Sequence, residues 1–114
     1  MIEPIIYVGL PAYQKRRIYK NVDTVFKVIE TVTGYSENEL IGRDRRQGVV
    51  DARILFAWAL RFRLNRTLMY IAEQLKRDHS SIIYYFEVFD ARLETEPTFR
   101  RNHEAVLTEL GRIF

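Results

Sequence analysis

The chain contains no cysteine, so neither disulfides nor thiolate metal sites can hold it, and an intracellular compartment is the expected setting. His79 and His103 are its two histidines, too few for the ligand sets that metal sites use. No pair of carboxylates is brought to a shared cleft by spacing. Asp78, His79 and Ser80 cannot form a catalytic triad either, because adjacent helical residues point in different directions. No Gly-x-x-x-x-Gly-Lys-(Ser/Thr) phosphate loop is present. These absences argue against an enzyme and give no reason to expect a catalytic residue, a metal, a cofactor or a small-molecule substrate. No apolar run approaches the roughly 18 residues that a membrane span needs. The first residues, Met1 to Gly9, lack a basic leader and are broken by Pro4, which is not the pattern of a signal peptide.

What is present describes a packed globule. The chain is 114 residues long, 47% apolar and 13% aromatic, enough for one domain with a real core. The net charge of +3 predicts no partner by itself, but its distribution does. Between Gly42 and Arg66 stand seven arginines, Arg43, Arg45, Arg46, Arg53, Arg61, Arg63 and Arg66, against two acids, Asp44 and Asp51. From Glu87 onward the balance reverses, with six acids against four arginines. The planar fork of arginine suits phosphates and guanine edges. The smaller cluster Lys15, Arg16, Arg17 and Lys20 reads as a solvated face.

Apolar spacing predicts an all-α chain after a short non-helical arm. Residues 1–20 are assigned to that arm, with a β-like run over Ile5, Ile6, Tyr7 and Val8, and residues 21–114 to the helical domain. A first helix is expected from about Asp23 to Thr33, stopped by Gly34. Ser36 and Glu39 form a capping box for a short helix carrying Leu40 and Ile41. Gly42 to Gly48 reads as a loop, and helix resumes near Asp51 as N-cap, running to about Leu64 with Ile54, Leu55, Trp58 and Phe62. Thr67 can cap a helix through Leu75, with Leu68, Ile71, Ala72 and Leu75 inward. Asp78 can cap a long helix to about Leu93, whose stripe is Ile82, Tyr85 or Phe86, Phe89 and Leu93. Pro97 suits the first turn of a last helix reaching about Arg112.

Two helices joined by a tight turn over about 67–93 make a helix-turn-helix, in which the first helix braces and the second enters the major groove by its N-terminus. Its opening residues are Asp78, His79 and Ser80, with Tyr84 one turn on. His79 can donate to a guanine or thymine acceptor, Asp78 can accept from a cytosine amine, and Ser80 can meet a phosphate, a base edge or a thymine methyl. The same residues also serve plain helix capping, and such helix pairs occur in proteins that never touch DNA. An interaction module that binds a replication or transcription protein is therefore the alternative, with residues 1–20 or the acidic last helix as its surface.

The run Arg77-Asp78-His79-Ser80-Ser81-Ile82-Ile83 resembles the recognition-helix signature, typically Arg-Asp-His-(Thr/Ser)-Thr-Val, of the C-terminal DNA-binding domain of DnaA, the bacterial replication initiator. Upstream, Val25 to Leu40 is similar to that domain's leading helix, Arg43 to Arg53 to its basic loop, and Asn65 to Ala72 to its brace helix. The resemblance implies a helix-turn-helix domain of the DnaA C-terminal or Trp-repressor-like type that binds double-stranded DNA, with DnaA-box-like sites among its expected targets. It implies that Asp78, His79 and Ser80 read the major groove and that Arg45 enters the minor groove. It further implies phosphate contacts from Ser81, Arg61, Thr67 and Leu68. Arg53 and Arg77, with Arg43, Arg46 and Arg66 of the basic stretch, are expected on phosphates too. The chain departs from the family's pattern in carrying Ala52 and Ile54 where proline and glutamine are usual, and the single Lys76 where a Gly-Gly pair usually precedes Arg-Asp-His. With no room for an ATPase module, the expectation is a stand-alone domain of bacterial, phage or mobile-element origin. It would act in replication control or transcription regulation, in the cytoplasm on the nucleoid, with a homodimer or protein contact through residues 1–20.

Overall fold

The computed structural model describes residues 12–114, with side chains described from residue 21 onward. The β-like run at 5–8 lies outside the described residues, as do the side chains of Lys15, Arg16, Arg17 and Lys20. Six helices make up the described chain: α1 (Ala12–Thr33), α2 (Glu37–Ile41), α3 (Gln47–Phe62), α4 (Leu68–Leu75), α5 (His79–Thr95) and α6 (Pro97–Ile113).

Two boundaries differ from the sequence expectation. Helix α1 begins at Ala12 rather than near Asp23, so residues 12–20 of the expected arm are helical. No proline or glycine interrupts that stretch, and its Lys, Arg and Gln residues are good helix formers. The apolar spacing of Val25, Phe26, Ile29 and Val32 marked only the later part of α1, where Val22, Val25, Phe26, Val28 and Ile29 are buried. Helix α3 begins at Gln47 rather than at Asp51, and its N-cap position, Arg46, makes no side-chain cap. Asp51 lies inside the helix, where its carboxylate accepts from Gln47 Nε2 at 2.8 Å and from Arg92 Nη2 at 2.6 Å. The residue expected to start α3 instead ties it to α5.

The remaining stops and starts follow the side chains. Gly34 ends α1 with φ of 86°, which glycine adopts without strain. Ser36 and Glu39 form the reciprocal capping box: Glu39 N–H donates to Ser36 Oγ at 3.3 Å and Ser36 N–H donates to Glu39 Oε1 at 2.9 Å. Thr67 Oγ1 accepts from Tyr70 N–H at 3.0 Å, and Asp78 Oδ1 accepts from Ser81 N–H at 2.9 Å. Pro97 stands in the first turn of α6.

Helix α3 forms the centre of the domain. Residues from Ala52 to Ala57, with Ala59 and Leu60, are buried on it, and it packs against α1, α2, α4, α5 and α6. Phe26 of α1 stacks on Phe56 of α3 with ring centroids 4.1 Å apart. On α5, Ile82, Tyr85 and Phe89 are buried and Phe86 is only half-buried, which settles the choice left open between Tyr85 and Phe86. This inward stripe fixes the rotation of α5 and leaves the first turn and the flank carrying Ile83 and Tyr84 in solvent.

The turn from α4 to α5 is built on Lys76, whose φ of 54° and ψ of 44° are left-handed. Arg77 N–H reaches back to Ala72 O at 3.0 Å and Lys76 N–H to Glu73 O at 3.3 Å, the two bonds of a Schellman closure. One residue thus reverses the chain where the resemblance leads to an expected glycine pair. Holding a β-carbon in that conformation costs roughly 1 kcal/mol or more relative to the right-handed regions.

Candidate DNA interface

Asp78 organises the start of α5. Its Oδ1 accepts from Ser81 N–H at 2.9 Å, from Ser81 Oγ at 2.8 Å and from Ser80 Oγ at 3.0 Å. The Ser81 backbone bond, followed by the two hydroxyls, holds the Asp78 carboxyl below the usual carboxylate range. Capping uses Oδ1 alone, so Oδ2 still faces solvent as an acceptor. Both serine hydroxyls donate to Asp78 and keep their lone pairs for an outside donor. His79 is exposed beside them and lines an open cleft with Met69, Ala72, Glu73, Lys76 and Arg77.

The arginine loop meets this helix start from the other side. Arg43, Arg45, Val50, Arg53, Arg77, Ser81 and Tyr85 line one cleft. Arg43 and Arg45 are exposed and make no ion pair among the described residues. Arg46, next to them, is paired: its Nε donates to Asp44 Oδ2 at 2.9 Å, its backbone N–H donates to Asp44 Oδ1 at 2.9 Å, and its guanidinium stands 5.7 Å from the Tyr35 ring centroid. The bonds from Arg46 bring the Asp44 carboxyl down to about 2. The loop is therefore braced by one arginine while two others remain open to solvent.

Two expected phosphate contacts do different work. Arg53 is 2% exposed, and its guanidinium donates to Leu40 O at 2.6 Å, Gly42 O at 3.0 Å and Glu39 O at 3.2 Å. Burial, and secondarily the nearby Arg77 charge, lowers its pKa. Arg77 donates to Gly42 O, to Leu75 O at 3.1 Å and, at a longer 3.4 Å, to Ile41 O. Both arginines close the carbonyl end of α2, which has no turns left to satisfy it, and so fasten α2 to the helix-turn-helix. Arg53 has almost no exposed surface to offer a phosphate, and Arg77 has most of its donors engaged inside the fold. Nothing in a run of arginines distinguishes a phosphate binder from a carbonyl clip; the inward position of Arg53, one turn before Ala57 and two before Leu60 on α3, was the available signal.

Arg61 and Arg66 brace the next turn. Arg61 Nη1 donates to Arg66 O at 3.0 Å, and Arg66 Nη1 donates to Leu64 O at 2.9 Å with its guanidinium 5.7 Å from the Tyr70 ring centroid. Both are half-buried and keep further donors. Thr67 caps α4, whose first-turn N–H groups at Leu68 and Met69 have no helical acceptor. Met69, 64% exposed, and Ile83, 40% exposed, are apolar neighbours of this surface that the sequence reading did not single out. Met69 falls outside the stripe of Ile71, Ala72 and Leu75, which is the sign that marks it.

Among the described residues no group of histidines and acids is placed to hold a metal ion, and no helix is long and apolar enough to cross a membrane. Comparison with curated proteins and with solved structures yields no match. Residues 22–88 match the family model of the bacterial dnaA protein helix-turn-helix, a span that runs from within α1 to the middle of α5 and includes the loop, the brace helix and the turn. The chain belongs to this family of DnaA C-terminal, DNA-binding helix-turn-helix domains.

Proposed function

We propose that the domain reads double-stranded DNA with sequence preference by engaging two grooves at once. Asp78 Oδ2, His79 and Ser80 meet base edges in the major groove, where the pattern of donors and acceptors distinguishes all four base pairs. Arg45 enters the adjacent minor groove, where a narrow A·T tract strengthens the negative potential. Phosphates are held by Arg43, by the remaining donors of Arg46, Arg61 and Arg66, by the α4 start at Thr67 and Leu68, and by the Ser81 hydroxyl, which turns its proton from Asp78 to the phosphate on binding. The observation that carries this reading is the single cleft in which the solvent-facing Arg43 and Arg45 border the first turn of α5. With this reading we propose a role in replication control or transcription regulation on the nucleoid, with A·T-rich, DnaA-box-like duplexes as the preferred sites; membership of the DnaA helix-turn-helix family supports it.

Selection of bound duplexes from a random pool, with footprinting of the winner, tests the proposal. The expected result is an enriched A·T-containing motif protected in both grooves, with affinity that falls steeply with salt. Binding that shows neither sequence preference nor a salt slope would overturn it and leave the protein-binding alternative.

A further inference from the structure

We propose that Lys76 is a phosphate contact of the DNA complex, and that this is why the turn before the recognition helix carries a left-handed lysine instead of glycine. The inference rests on the DNA-reading proposal above.

Lys76 adopts φ of 54° and ψ of 44°, a region that glycine enters freely and that asparagine tolerates. The other left-handed non-glycine residue in the described chain is Asn65, a residue type suited to it. A glycine at position 76 would make the same two closing bonds to Ala72 and Glu73 at lower conformational cost. A lysine kept there therefore needs a reason outside the folding of the turn.

Arg53, Arg77, Arg46, Arg61 and Arg66 all donate to groups inside the domain. Lys76 is exposed, and its ammonium makes no hydrogen bond or ion pair among the described residues, even though Glu73 lines the same cleft. That cleft is also lined by His79, so Lys76 borders the base-reading turn of α5, and Arg77 separates it from the cleft of Arg43 and Arg45. A helix that enters the major groove by its N-terminus brings the preceding turn to the groove's edge, where the phosphates are. Lys76 is then the cation that replaces the expected service of Arg77 on that strand.

Three variants separate charge from backbone. Lys76→Gly relieves the backbone and removes the charge, Lys76→Ala removes the charge alone, and Lys76→Arg keeps it. Each is measured by fluorescence anisotropy on the selected duplex and on a random duplex across a salt series, with thermal denaturation alongside. The expected result is a Lys76→Gly protein with a higher Tm that nonetheless binds both duplexes roughly five- to tenfold more weakly near 0.1 M salt, with the salt slope reduced by about one. Lys76→Ala should lose the same slope without the gain in Tm, and Lys76→Arg should keep the slope of the unmodified protein. Unchanged slopes in Lys76→Gly and Lys76→Ala, with the unmodified protein binding normally, would overturn the inference while leaving the DNA-reading proposal standing. Absence of a slope in the unmodified protein would instead remove that proposal itself.

Discussion

His103 sits edge-on to Trp58, with ring centroids 4.6 Å apart, and to Phe89 at 5.1 Å, and its Nε2 is buried without a hydrogen-bond partner among the described residues. Burial pulls its pKa below the ordinary 6.5, with Glu104 opposing to a smaller extent, because a charged imidazole is poorly solvated between aromatic rings. Since the folded pKa is the lower one, the unfolded chain takes up the proton first as pH falls through about 6.5, so acid favours unfolding. Thermal denaturation should therefore give a lower Tm at about pH 5.5 than at about pH 7.5, and His103→Phe, which keeps the ring and has no proton to gain, should narrow that difference. An equal pH response in the variant would assign the loss to other groups. His79 shares the residue type but not the environment: it is exposed, at a helix start, beside Asp78 and Ser80. His79→Ala should leave Tm nearly unchanged while costing on the order of 1–3 kcal/mol of discrimination between the selected and a random duplex. Competition binding measures it, and equal losses on both duplexes would remove His79 from the base-reading set.

At the scale of elements, Asp78 both caps α5 and is proposed to read a base, and the two roles can be pulled apart. Asparagine caps a helix about as well as aspartate but presents a different pattern of donor and acceptor. Asp78→Asn should keep the Tm and shift the selected sequence, whereas Asp78→Ala should lower the Tm as well; a shift of neither motif nor affinity in Asp78→Asn would leave Asp78 as a cap only. Arg53 makes the opposite case. Its three bonds to the carbonyl end of α2 are internal, so Arg53→Ala should cost about 3 kcal/mol in chemical denaturation, because buried carbonyls lose a charged donor. At temperatures where the variant stays folded, its salt slope on DNA should equal that of the unmodified protein; a slope reduced by about one would restore Arg53 to the phosphate set. The same contrast explains what the sequence could and could not say. Caps at Ser36, Thr67 and Asp78 were legible because they depend on residues within one turn. So was the stripe of Ile82, Phe89, Ile71 and Leu75, which depends on helical period. The internal bonds of Arg53 and Arg77 were not legible because their acceptors lie at the carbonyl end of α2, 11 to 14 residues from Arg53 and 35 from Arg77, and only the packed fold brings them there. The early start of α1 was missed for a related reason: residues 12–20, with Gln14, Lys15, Arg16, Arg17 and Lys20 among them, carry too few apolar positions for a periodic signal.

Across the whole molecule, the fold sorts one continuous arginine-rich sequence into two populations. Arg53 and Arg77 hold α2 against the helix-turn-helix, Arg61 and Arg66 shape the turn into α4, and Arg46 is neutralised within the loop by Asp44. The cations that face solvent in the clefts beside the first turn of α5 without an ion pair among the described residues are Arg43 and Arg45 in one cleft and Lys76 in the other. A modest net charge of +3 is then no obstacle to DNA binding, because what matters is how many cations are free to displace condensed counterions, and each phosphate neutralised contributes about 0.9 to the slope of log K against log salt. The internal clips have a second consequence: by bonding Leu40 O and Gly42 O they tie the start of the loop to the helix-turn-helix, which supports the proposal that Arg45 and α5 engage neighbouring grooves together. Arg43→Ala and Arg45→Ala should each lower the salt slope by about one, and the double variant by about two. They should differ in specificity. Arg43→Ala should weaken selected and random duplexes alike, while Arg45→Ala should also erase the preference for an A·T tract beside the major-groove site, since a narrow minor groove is what its side chain senses. Salt titrations on duplexes with that tract intact or replaced by G·C pairs separate the two. If Arg45→Ala keeps the A·T preference, the minor-groove half of the two-groove reading fails, and the major-groove contacts of α5 must account for all of the sequence preference.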